Sequence, residues 1–96
     1  MGDSQVLERL YRMILARARE RPGGSYVLHL LDGGLDAIAA KIREEAEELC
    51  LAAPEGDREH TVHEAADLLF HTWVLLGALG IEPGLVFDEL ERRARP

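Results

Sequence analysis

Apolar positions recur along this chain at intervals of three and four residues, with none of the strict alternation of a strand. Val6, Leu7, Leu10, Tyr11, Ile14 and Ala18 predict a first helix from Val6 to Arg19, with Ser4 as its N-cap. It should stop before Arg21-Pro22-Gly23-Gly24, because proline disfavours helical geometry at its predecessor and two glycines follow. Ser25 then caps a short helix through Tyr26, Val27, Leu28, Leu30 and Leu31, which Gly33-Gly34 should end. A further helix runs from about Leu35 to Ala53. After the turn Pro54-Glu55-Gly56, Asp57 caps a helix through Leu79 whose apolar seam is Val62, Ala66, Leu69, Trp73 and Leu76. A polar stripe, His60, Glu64, Asp67 and His71, runs beside that seam at the same period. Gly80 closes the helix, and Pro83 opens a last one through Val86, Phe87 and Leu90 to Arg92-Arg93, whose charge suits a helix C-terminus. With no repeat or linker evident, residues 1–96 read as one all-α domain. The short connections predict an antiparallel helical bundle.

One position breaks the pattern. Leu35, Ile38, Ile42, Leu49 and Ala52 form a seam whose missing member, position 45, is glutamate. A carboxylate in a core seam is costly unless it is paired or coordinated. Glu45 also belongs to an acidic run in which Glu44 sits over Glu48, and Glu45 near Glu48. On the next helix Glu64 sits over Asp67. Like charges at that spacing oppose a helix by about 0.2–0.5 kcal/mol per pair. A hard divalent cation bound through oxygen would hold Glu44, Glu45, Glu48, Glu64 and Asp67 together. A solvated charged face is the competing reading of any glutamate run. It is the reading adopted for Glu47, on the opposite side of its helix.

Composition removes several function classes. A net charge of −7 leaves no basic footprint for nucleic acid. The 47% hydrophobic and 30% charged residues describe a packed, water-soluble globule. No apolar run approaches the ~20 residues of a membrane span, and the polar N-terminus lacks the apolar region of a signal peptide. The single cysteine, Cys50, reads as a buried free thiol in a reducing compartment, so a cytoplasmic protein is expected.

Four other features bear on chemistry. Lys41 lies one turn before Glu44 and Glu45, where it either pairs on the surface with Glu45 or offsets the acidic cluster and meets a phosphate. His71 continues the Glu64–Asp67 stripe as a hydrogen-bonded structural residue or a ligand contact. His29, His60 and His63 read as surface, and no histidine pair has zinc-helix spacing. Arg17, Arg19 and Arg21 precede the Pro-Gly-Gly turn, with Ser25 and Tyr26 after it. They are either a basic helix end matched to its dipole or a phosphate clamp of guanidinium forks and helix-start N–H groups.

The order of these features resembles phosphoribosyl-ATP pyrophosphohydrolase, the second enzyme of histidine biosynthesis, in the all-α superfamily that includes the housecleaning enzyme MazG. The residues that carry the resemblance are Arg21-Pro22 with Ser25-Tyr26, Leu31 to Asp36, Lys41, Glu44-Glu45-Ala46 and Glu48. They continue with Gly56-Asp57, Glu64-Ala65-Ala66-Asp67-Leu68-Leu69, His71 and Leu90-Glu91-Arg92-Arg93. The likeness spans about Leu7 to Arg93. Departures are Arg43, Val27 and His29, where the family often has a small residue, threonine and lysine; no carboxylate of the pattern is lost.

The resemblance implies a MazG-like bundle completed by dimerisation, or by a higher homo-oligomer, acting on phosphoribosyl-ATP to give phosphoribosyl-AMP and pyrophosphate. It implies Mg²⁺, or Mn²⁺ in its place, held by Glu44, Glu45, Glu48, Glu64 and Asp67, with Glu44, Glu45 and Glu48 catalytic. Substrate contacts fall to Arg17, Arg19, Arg21, Ser25, Tyr26, Lys41 and His71. Many relatives are fused to the cyclohydrolase of the following step; a chain of this length is expected to act without it. Two alternatives stay open: a MazG-type enzyme for general nucleoside triphosphates, and a non-catalytic helical dimerisation module. Arg-Pro-x-x-Ser-Tyr speaks against the first and the seam glutamate against the second.

Overall fold

The computed structural model describes residues 2–3 and 5–96, so the N-cap expected at Ser4 lies outside the described residues. The elements are α1 (Val6–Glu20), α2 (Tyr26–Ala52), a 3-10 turn (Ala53–Glu55), α3 (Arg58–Leu79) and α4 (Pro83–Ala94). The fold is all-α, with no strand among the described residues. No helix among them is long and apolar enough to cross a membrane.

The helix boundaries follow the local chemistry. Arg21 ends α1 in the left-handed region at φ 50°, its N–H reaching the Arg17 carbonyl at 2.9 Å. Ser25 is extended and its Oγ accepts the Leu28 N–H at 3.3 Å; Asp57 caps α3 by accepting the His60 N–H at 3.2 Å. The expected end at Gly33-Gly34 is a break inside α2, after which helical hydrogen bonding resumes. Gly34 adopts φ 86° and ψ 174°, a region essentially closed to residues with a Cβ. A straight helix would separate Tyr26 from Lys41 by about 22 Å. With the break, both side chains line one cleft.

α2 and α3 pack antiparallel. Tyr26, at the start of α2, meets Phe70 and His71 late in α3, whereas Glu45 and Glu48 meet Glu64 early in α3. The core joins Tyr11 and Ile14 of α1, Val27, Leu30 and Ile38 of α2, and Trp73 and Val74 of α3. Trp73 ties α1 down through Nε1–H to the Leu7 carbonyl at 3.0 Å, and Phe87 of α4 lies against its ring. Gly77 lets α1 approach, since a Cβ there would lie 2.9 Å from Ile14 Cγ2.

Three expectations are corrected. The apolar seam expected on α3 is outside over its first half: Val62 is 62% and Leu69 47% exposed, and Ala66 is exposed too. The polar stripe beside it turns inward, with Glu64 and His71 buried. Part of the reason lies on α2, whose Tyr26 meets His71, while Glu64 is paired along its own helix with His60. Leu35, directly after the break, is exposed rather than seated in the seam. Cys50 is an exposed thiol, not a buried one. At 100° per residue it stands about 140° around the helix from the buried Glu45.

Candidate active site

Glu45 occupies the seam position where an apolar residue was missing, and it is 5% exposed. Lys41, one turn earlier, places Nζ 3.4 Å from its Oε1 and 3.3 Å from Glu44 Oε1. Across from it on α3, Glu64 is 6% exposed, and its Oε1 lies 3.3 Å from His60 Nε2. The second oxygens, Glu45 Oε2 and Glu64 Oε2, are buried and find no hydrogen-bond partner among the described residues. An orphaned buried polar atom costs about 1–3 kcal/mol, and more when charged. Two such atoms on facing helices fit a cation between them. Glu45, Glu48 and Glu64 each offer an oxygen within 4.8 Å of the others, an all-oxygen set suited to a hard divalent ion.

The five carboxylates expected to converge do not all join that group. Asp67 forms a second, adjoining set with Glu64 and His63, whose Nε2 lies 3.2 Å from Asp67 Oδ2. Glu44 is in neither set; it is over half exposed, paired to Lys41, and lines a cleft with Tyr26 and Lys41. The hydrogen bond to Glu44 is the first cause that raises the Lys41 ammonium above its ordinary pKa, with Glu45 adding to it against partial desolvation. Glu47 is exposed, as expected.

Two clefts flank these groups. One, of about 390 Å³, is lined by Glu48, Leu51, Ala52, Glu55, His60 and Glu64. The other, of about 510 Å³, lies in the elbow of α2 between Tyr26, His29 and Leu30 and, beyond the break, Ala40, Lys41 and Glu44. Both are within the size range of small-ligand sites. The Tyr26 hydroxyl is 2.8 Å from His71 Nε2, and His71 Nδ1 is 2.7 Å from the Asp67 carbonyl. Burial pushes the Tyr26 phenol up; the Lys41 charge opposes this, while Glu45, Asp67 and Glu44 add to it.

The basic turn is built differently from a free clamp. Arg21 Nη2 is 2.8 Å from Asp32 Oδ2, Arg19 lies 3.9 Å from Glu20, and Ser25 Oγ serves as the α2 cap. Arg17 is half-buried, and none of the three arginines lines either cleft. Sequence reasoning passed over His60 and His63 as surface residues. Both touch site carboxylates, His60 also reaching Glu55 at 3.4 Å. Their four-residue offsets from Glu64 and Asp67 were the available signal.

The family described as Phosphoribosyl-ATP pyrophosphohydrolase matches residues 7–94. A phosphoribosyl-ATP pyrophosphatase of Methanopyrus kandleri is 51% identical over 100 residues, covering 99% of this chain and all of the relative. One from Rhodopirellula baltica is 51% identical, covering 91% of this chain and 75% of the relative. One from Sulfurisphaera tokodaii is 41% identical, covering 97% and 99%. The chain belongs to the phosphoribosyl-ATP pyrophosphohydrolase family.

Proposed function

We propose that this chain hydrolyses the α–β phosphoanhydride of phosphoribosyl-ATP, giving phosphoribosyl-AMP and pyrophosphate, with Mg²⁺ as the resident cation and Mn²⁺ able to replace it. The observation that carries the reading is the pair of buried, unpartnered oxygens of Glu45 and Glu64, set on facing helices beside Glu48. Glu45, Glu48 and Glu64 would hold the cation, and Asp67 adjoins them through Glu64. When bound, a divalent cation there neutralises charge on the phosphate oxygens. The carboxylates left at the rim, Glu44 among them, accept a hydrogen bond from water and orient it toward phosphorus. Water oxygen then bonds to phosphorus as the bond to the departing pyrophosphate breaks, and the water proton passes to the carboxylate that orients it.

The remaining contacts follow from what a phosphoribosyl group adds to ATP, a second ribose with its own phosphate. Lys41 and Tyr26 line the elbow cleft next to the acidic groups. Arg17, Arg19, Arg21 and Ser25 offer the second phosphate a basic turn at a helix start. To receive it, Arg21 exchanges its Asp32 partner for the phosphate. The apolar stripe of Val62, Ala66 and Leu69 supports association of two copies, with residues 1–96 acting as one domain in each. The free thiol of Cys50 supports a reducing, cytoplasmic location.

A side-by-side turnover test of phosphoribosyl-ATP and dCTP separates this reading from that of a general triphosphate pyrophosphohydrolase. The expected result is a strong preference for phosphoribosyl-ATP. Equal or faster turnover of dCTP would overturn it.

A further inference from the structure

His71 is 3% exposed, too deep to touch a ligand in the elbow cleft, yet both of its ring nitrogens are engaged. The carbonyl of Asp67 can only accept, so the nitrogen 2.7 Å from it, Nδ1, must carry a proton. In the neutral ring Nε2 is then an acceptor, and its one hydrogen-bond partner among the described residues, the Tyr26 hydroxyl at 2.8 Å, must donate. Packing holds this chain of bonds in place. The His71 ring stands edge-on to both Tyr26 and Phe70, and Phe70 stacks on Tyr26. A phenol has one proton. With that proton turned inward, what Tyr26 shows to the cleft is lone pairs alone.

We infer that His71 is a positioning residue that holds the Tyr26 hydroxyl as a pure acceptor. Tyr26 therefore recognises a hydrogen-bond donor of the nucleotide, a ribose hydroxyl or the base amine, and does not join a phosphate clamp. A phosphate oxygen offers only lone pairs and would meet lone pairs. This removes Tyr26 from the basic turn that begins beside it in sequence and assigns it to the sugar or base.

The inference rests on the proposed activity for its kinetic test but not for its spectroscopic one. Nitrogen-15 NMR of the wild-type protein should show His71 as the neutral Nδ1–H tautomer. An Nε2–H tautomer, or an imidazolium at neutral pH, would overturn the inference whatever the enzyme hydrolyses. An inactive wild-type protein with the Nδ1–H tautomer would sink only the proposed activity.

In kinetics, Tyr26→Phe and His71→Leu should each raise KM for phosphoribosyl-ATP by about tenfold, with a smaller fall in kcat. The double variant should be no worse than either, and His71→Gln, which restores an acceptor, should recover part of the loss. Multiplying effects in the double variant would mean that His71 does not act through Tyr26. Competition by ATP, 2′-deoxy-ATP and ITP distinguishes the two donors. The analogue whose disadvantage disappears in Tyr26→Phe lacks the group that Tyr26 recognises. If the wild type distinguishes neither analogue from ATP, or Tyr26→Phe distinguishes them equally well, the assignment fails.

Discussion

Glu45 Oε2 on α2 and Glu64 Oε2 on α3 are both buried and both without a partner among the described residues, on helices that pack directly against each other. Packing alone would favour a leucine at either position. Retaining two carboxylates there is intelligible if a cation completes them, because a buried charge is tolerated when it is paired or coordinated.

That relationship gives opposite signs for stability and activity. Glu45→Gln should raise the melting temperature in chelator, since relief of a buried carboxylate with one unpartnered oxygen, about 1–3 kcal/mol, outweighs the loss of its partly exposed Lys41 pair. It should also lose the stabilisation that Mg²⁺ gives the wild type by mass action, along with most of the turnover. Glu47→Gln, on the exposed side of the same helix, should change neither. Differential scanning fluorimetry with and without Mg²⁺ reads both effects.

Gly34 tests the elbow. Because a Cβ there would meet nothing within 4 Å, any penalty for Gly34→Ala is one of backbone conformation alone. At φ 86° and ψ 174° that penalty should be about 1–3 kcal/mol. For a chain of this size it corresponds to a melting temperature lower by roughly 4–8 °C per kcal/mol. If the break merely joins two helices, KM will hold; if it sets Tyr26 against Lys41, KM will rise together with the loss of stability.

The outward apolar stripe of α3 predicts an association surface. Leu69→Glu, at a position 47% exposed in the isolated chain, should be harmless to a monomer and should split a dimer. Light scattering behind size exclusion should show two copies for the wild type and one for the variant. A wild type that runs as a monomer would refute the surface.

These residues also mark what could be read without coordinates. The missing seam member at 45, the caps at Ser25 and Asp57 and the breakpoint at Gly33-Gly34 were all legible, because each follows from local spacing or backbone chemistry. The inward face of α3 was not. Its apolar and polar stripes share one period, so periodicity alone does not say which of them packs. For His71 the choice was made by the partner α2 presents, Tyr26. Spacing likewise grouped Glu44 with Glu45 and Glu48, whereas in the structure its carboxylate is engaged by Lys41 and stands outside the set.

Arg21 is the sharpest test of the basic turn. Its guanidinium is exposed and paired with Asp32, so Arg21→Ala should hardly move the melting temperature, whereas loss of a charge-assisted phosphate contact should raise KM for phosphoribosyl-ATP by about tenfold to a hundredfold. Added salt should weaken wild-type binding more than that of the variant. An unchanged KM would make the turn a helix terminus and nothing more.

The most direct measurement follows the products of phosphoribosyl-ATP turnover in Mg²⁺, in excess EDTA, and for Glu45→Gln and Glu64→Gln in Mg²⁺. The expected result is one pyrophosphate for each phosphoribosyl-AMP in Mg²⁺, none in EDTA, and severe loss in both variants. Full activity in EDTA, undiminished turnover by either variant, or release of orthophosphate in place of pyrophosphate would contradict it.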